Sequence, residues 1–313
     1  MSVHPQVARY LDEISQVDLP PFEEMTPEFI RSTLTPSPEP HLPAKKIESL
    51  LIPVGDEQIE VRIYTPEIDS NAPPDQWPAL IYFHGGGWVL GTLDAYDGLC
   101  QDLAGTAGCK VLSVDYRMAP EYPYPIPFQD ALAATFWVEE HADELNLDRQ
   151  RIAIGGDSAG GNLATAVALK ARESEALKLY YQLLVYPVTN YYFDTESYQK
   201  YATNYFLTRR AMEWFWEQYL PDESAGREIY ASPLRCKDLS GLPAALVITA
   251  GYDPLYSEVI QYIGQMQNSD VSVEHINFED MIHGFFRRSD VFDRAFEAVQ
   301  MAGSHLKQAF SPK

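Results

Sequence analysis

Short apolar runs recur along the chain, and helix-like stretches separate most of them. The runs are "ALIYF" (79–83), "KVLSV" (110–114), "RIAIG" (151–155), "LYYQLLVYP" (179–187), "AALVITA" (244–250) and "VSVEHINF" (271–278). Segments 95–107, 128–143, 160–173 and 255–268 lie between them with helical patterning. Near-continuous apolar strands that alternate with helices predict a parallel sheet covered on both faces. Two earlier runs, "KIESLLIPV" and "QIEVRIYTP", flank the turn "GDE" and predict an antiparallel hairpin at one sheet edge. The pattern therefore predicts an α/β fold with a mostly parallel, eight-stranded sheet. Residues 5–35 predict helices broken at "DLPPF", and "TPSPEPHLP" and "NAPPDQWP" predict linkers. Residues 190–230 do not fit the alternation. They are too long for a plain crossover and are crowded with Tyr, Phe and Trp, so they predict an inserted helical subdomain that covers something.

Composition narrows the class. The chain has 313 residues, 46% hydrophobic and 12% aromatic, enough for a large core and far from a disordered composition. A formal charge of -22 opposes binding to nucleic acid or anionic membranes. The N-terminal stretch carries acids and prolines where a secretory signal needs an apolar core. No run reaches the roughly 18 apolar residues of a membrane span. Cys100, Cys109 and Cys236 lack zinc spacing, and free thiols in a reducing cytoplasm are the expectation. Neither a metal nor a cofactor is expected, because no H-E-x-x-H pattern or Cys/His cluster occurs.

The candidate chemistry begins at "GDSAG" (156–160), between the strand "RIAIG" and an Ala-rich helix. A G-x-S-x-G in that context puts the serine on a sharp turn above the sheet. Ser158 is the candidate nucleophile, and a serine hydroxyl needs a base. Of seven histidines, His283 lies just beyond the last strand, at the sheet end where active sites form. His4 and His41 lie near the N-terminus, His141 and His305 on helical stretches, and His275 within a strand. Asp253, past the penultimate strand in "AALVITAGYDPL", is the candidate acid. Asp157, Glu258 and Asp280 compete with it. Asp157 should point away from the nucleophile, Glu258 should support the loop, and Asp280 is close to His283 in sequence. The remaining feature is "HGGGW" (84–88), directly after a strand. Gly85, Gly86 and Gly87 offer unobstructed backbone N–H groups to a developing oxyanion, joined by the N–H of Ala159. The loop lacks the Lys-Ser/Thr of a P-loop and does not match a dinucleotide fingerprint.

Five motifs together, "HGGGW", "YRMAPEYPYP", "GDSAGGNLA", "YDPL" and "IHGF", resemble the hormone-sensitive-lipase-like carboxylesterases, the microbial family IV. The resemblance runs from about residue 45 to the end, and the chain order Ser158, Asp253, His283 is that of the α/β-hydrolase fold. It implies a cap formed by residues 1–44 and 190–230 on a core of 45–189 and 231–313. It also implies that His84 holds the glycine loop, and that Arg117 and Glu121 form a buried polar pair. Which two loop glycines donate stays open, with Gly86 and one neighbour favoured. One departure is Tyr256-Ser257-Glu258, where the family often has Arg-Asp-Glu.

The expected reaction is hydrolysis of carboxylic esters through an acyl-enzyme, with short to medium acyl chains. Because the base must be neutral, activity should fall with pH through the ordinary histidine range of about 6–7. Trp88, Tyr191, Phe206, Leu207 and Phe285 are the candidate pocket residues, though the insert's aromatics could instead pack on one another. A small hydrophobic ester is the expected partner, and a homodimer is compatible with the family. A lactonase or acyltransferase could use the same triad, and a non-catalytic small-molecule receptor could use the same fold.

Overall fold

Strand β3 (Trp77–Phe83) is buried along its whole length, and its side chains divide between two cores. Ala79, Ile81 and Phe83 enter one apolar cluster, while Leu80 and Tyr82 enter the other. That period of two, with both faces apolar, is what a central strand requires. The computed structural model describes residues 2–17, 20, 24–34, 36–67, 75–174 and 177–311. Of "DLPPF" only Pro20 is described, and residues 71–74 of "NAPPDQWP" lie outside the described residues; its Trp77 and Pro78, expected as linker, are instead the buried start of β3.

Eight strands form one sheet. They are β1 (Lys46–Val54), β2 (Glu57–Thr65), β3, β4 (Lys110–Val114), β5 (Leu147–Asp157), β6 (Tyr181–Val185), β7 (Ala244–Tyr252) and β8 (Val273–Ile282). Their order is β1-β2-β4-β3-β5-β6-β7-β8. The β1–β2 and β2–β4 pairs are antiparallel, and the remaining neighbours are parallel. The antiparallel hairpin thus sits at one edge, as the spacing around "GDE" predicts. Two strands extend past their apolar runs. β5 begins at Leu147, where a register shift lets Trp77 pair with Leu147, although Arg149 and Gln150 are exposed there. β8 continues through "EDMI", expected as loop, because Tyr252 pairs with Ile282 beyond an irregularity. His283 therefore follows the strand directly.

Helices α1 (Pro5–Ser15) and α2 (Pro27–Ser32) precede the sheet. α3 (Asp97–Ala107) and α9 (Asp293–Phe310) cover one face, in the cluster that holds Leu103, Ala298 and Leu306. α4 (Ile126–Glu140), α5 (Ala159–Ala171) and α8 (Tyr256–Asn268) cover the other. α3 stops at Gly108, which takes a left-handed conformation. Within 190–230 the chain forms α6 (Glu196–Lys200) and α7 (Arg209–Tyr219). Thr208 caps α7 by accepting a hydrogen bond from the Ala211 N–H. No described helix is long and apolar enough to cross a membrane.

Candidate active site

The site grows from four strand ends on one edge of the sheet. β3 leads into the glycine loop, β5 into Ser158, β7 into Asp253 and β8 into His283. All four belong to the parallel part of the sheet, so their C-terminal ends converge.

Ser158 has φ 54 and ψ -118, a strained conformation for a residue with a side chain. The turn is held on both sides. The Ser158 N–H donates to Val185 O at 2.9 Å, and the Val188 N–H donates to Ser158 O at 3.1 Å. The flanking glycines permit a close approach to β3. A Cβ at Gly156 or Gly160 would collide with the carbonyl of Phe83. That contact explains why the pattern is glycine-serine-glycine rather than any small residue.

His283 Nε2 lies 2.9 Å from Ser158 Oγ, and its Nδ1 lies 2.7 Å from Asp253 Oδ2. Asp253 is 1% exposed and also accepts from the Leu255 N–H, which fixes its carboxylate. The competing acids are engaged elsewhere. Asp280 faces Arg294, 3.6 Å away. Glu258 Oε1 accepts from the N–H groups of Thr189 and Asn190 and from the Thr189 hydroxyl. Burial pushes its carboxyl up to about 8. Asp157 points away from His283. Its Oδ1 accepts from the Tyr82 hydroxyl and the Gly85 N–H, and its Oδ2 from the Tyr96 hydroxyl. Burial raises the Asp157 carboxyl, opposed by the tyrosine hydrogen bonds and by the charge of Arg287. Of the other histidines, His275 meets Thr249, and His305 meets Glu274.

In the glycine loop, the Gly85 N–H is taken by Asp157 and Tyr96. The Gly86 and Gly87 N–H groups donate to nothing among the described residues. Both have positive φ, 113° and 61°. A Cβ on Gly86 would strike the Leu90 carbonyl, and one on Gly87 the Phe215 ring. His84 is fully buried and stacks on Tyr116 with ring centroids 4.4 Å apart. The Tyr116 hydroxyl donates to His84 O at 2.8 Å, and burial lowers the imidazole below its ordinary range.

A cavity of about 500 Å³ opens over Ser158 and His283. Phe206 and Leu207 line it as expected from the sequence, together with Leu34, Leu90, Met212 and Phe215. Three expected pocket residues lie elsewhere. Trp88 is fully buried and stacks on Tyr219 at 4.1 Å, beside Trp216. Tyr191 packs on Phe193 and Trp216, inside the insert. Phe285 is fully buried against Tyr186 and Phe278, beneath the sheet edge. In each case neighbouring aromatics supply a better burial than the cavity. Arg117 and Glu121 do not pair either. Arg117 binds Asp130 through two nitrogens, and Glu121 binds Arg31 of α2. The cavity residues missed by sequence carry a readable signal on α7. Thr208, Ala211, Met212 and Phe215 follow i, i+3, i+4, i+7 spacing and share one helix face.

All three cysteines are free thiols, and no group that could hold a metal occurs among the described residues.

Comparison with known proteins agrees with this architecture. The α/β-hydrolase fold family matches residues 80–287. An ethyl acetate hydrolase of Pseudomonas putida is 36% identical across 80% of this chain and 78% of its own. Carboxylesterase NlhH of Mycobacterium tuberculosis is 38% identical, across 87% of this chain and 86% of its own. A crystal structure of a thermostable esterase from Pseudomonas putida superposes with a TM-score of 0.93 at 34% identity, covering 100% of this chain and 99% of that one. The chain belongs to the α/β-hydrolase fold family, in its hormone-sensitive-lipase-like branch of carboxylic ester hydrolases.

Proposed function

We propose that the protein is a serine carboxylesterase that works through an acyl-enzyme on short- to medium-chain esters. The observation that carries this reading is the continuous chain of contacts from Ser158 through His283 to Asp253. His283 takes the proton from Ser158 as the hydroxyl attacks the ester carbonyl. Asp253 fixes the tautomer and stabilises the imidazolium. The oxyanion is received by the N–H groups of Gly86, Gly87 and Ala159, since the Gly85 N–H is already committed. Each such donor contributes about 3–4 kcal/mol to the transition state. His283 then protonates the departing alcohol, and water repeats the cycle on the acyl-enzyme.

The pocket supports the substrate class. Its walls from the insert are Phe206, Leu207, Met212 and Phe215, and its volume of about 500 Å³ suits a compact acyl group. Residues 190–230 act in this reading as a cap over the core, joined from the N-terminal segment by Leu34. The test is a p-nitrophenyl acyl-chain series on the wild type and on Ser158→Ala. Turnover of the butyrate should fall roughly a thousandfold or more in the variant. Mass spectrometry of a quenched reaction should find one added acyl mass on the peptide carrying Ser158. Near-native turnover by Ser158→Ala, or best activity on emulsified long-chain triglycerides, contradicts the reading.

A further inference from the structure

Two arginines line the catalytic cavity, and among the described residues only one of them is ion-paired. Arg210 is half exposed, and Glu213 and Glu217 take its guanidinium. Arg287, four residues after His283, makes no hydrogen bond or ion pair among the described residues. Its guanidinium carbon sits 5.8 Å from the centre of the Tyr96 ring, a cation–π distance that holds the charge at the wall. The obvious internal partner is Asp157. Its oxygens are filled by Tyr82, Tyr96 and the Gly85 N–H, and it forms no ion pair with Arg287. Five N–H donors therefore remain on a half-buried, rigid fork in the cavity it shares with Ser158 and His283, whose apolar wall is Leu34, Leu90, Met212 and Phe215 and whose polar lining includes Asp157, Thr203 and Thr208.

We propose that Arg287 is a specificity-determining residue that selects esters carrying a carboxylate near the scissile bond. The proposal rests on the esterase reading above and narrows its substrate class. A planar guanidinium binds a carboxylate through two parallel, charge-assisted hydrogen bonds. An apolar cavity strengthens that pairing over its value at an exposed surface. The chain's charge of -22 disfavours anions at long range, so any preference for an anionic ester must come from a local cation. The carboxylate can belong to the acyl part or to the alcohol part of the ester, and the two sources are separable.

The experiment compares kcat/KM for matched pairs that differ only in charge. On the acyl side, monoethyl succinate, glutarate and adipate are each set against the ethyl ester of the corresponding mono-amide. On the alcohol side, acetoxyacetate is set against 2-acetoxyacetamide. Acid release is followed by pH-stat for the wild type, Arg287→Gln, Arg287→Lys and Ser158→Ala. The wild type should favour the carboxylate member in at least one pair. Arg287→Gln should lower that preference roughly tenfold or more, and Arg287→Lys should retain part of it. The ratio within one variant cancels any general loss of folding or turnover. A ratio unchanged in Arg287→Gln overturns the proposal. So does a wild type that prefers the amide in every pair, a result that needs no variant to fold. If neither member of any pair is hydrolysed faster than by Ser158→Ala, the esterase reading itself fails.

Discussion

Gly160 illustrates how much of the site is set by atoms that are missing. A single methyl group there would overlap the Phe83 carbonyl. Gly160→Ala is therefore expected to lower Tm by several degrees and to depress turnover, because the colliding atom is backbone and cannot rotate away. Thermal melts and a p-nitrophenyl butyrate assay check both parts. Asp157 carries a second expectation. Its carboxylate accepts three hydrogen bonds, one from the glycine loop. Asp157→Asn turns one acceptor oxygen into a donor that faces donors, so kcat should fall while Ser158 and His283 stay in place. An unchanged kcat contradicts a role for Asp157 in holding the loop. The chain of contacts from Ser158 through His283 to Asp253 was legible in the sequence because each residue lies at or shortly beyond the end of an apolar run. The hydrogen bonds of Asp157 were not, since Tyr82 and Tyr96 lie 75 and 61 positions away and only the folded sheet brings them near.

At the scale of elements, α7 divides its aromatics between two tasks. Phe215 lines the cavity, while Trp216 and Tyr219 lock onto Trp88 behind the glycine loop. Composition showed that the insert is aromatic, but only the helical phase separates a lining residue from a packing one. That is why Trp88 was legible as an aromatic near the site and not as a buried strut, while for Tyr191 the sequence left lining and packing within the insert as alternatives. The first turn of α8 brings a pH effect. Burial holds the Glu258 proton to about 8 against an ordinary value of 4.5. The folded state thus keeps a proton that the unfolded chain releases. The associated stability is full below the unfolded value and is lost as pH rises through about 8. Glu258→Gln keeps the neutral form, so its Tm should vary less than the wild type's between about pH 5 and 8. A Tm profile parallel to that of the wild type contradicts this.

For the whole molecule, charge acts mainly through self-repulsion. With 45 acidic against 23 basic side chains, the compact state concentrates negative charge. Raising monovalent salt from about 10 to 300 mM shortens the screening length and should raise Tm; a flat or falling Tm contradicts it. The overall topology was legible because parallel strands need crossovers, and the helical stretches supply them. The sheet's extensions were not. At the ends of β5 and β8 the pairing residues are the buried Leu147 and Ile282, cut off from their apolar runs by polar residues such as Arg149, Gln150, Glu279 and Asp280, so the apolar patterning stops before them. The Phe83 contact has one more consequence, and it concerns how this protein can be changed. The serine turn rests against the end of β3, the strand from which the glycine loop departs. The proposed nucleophile and the proposed oxyanion donors therefore cannot be moved independently, and libraries aimed at either will yield mostly inactive variants. Libraries aimed at Phe206, Leu207 and Met212 leave that junction untouched, whereas Phe215 packs on Gly87. Those three are the places where new ester preferences can be selected without rebuilding the catalytic geometry.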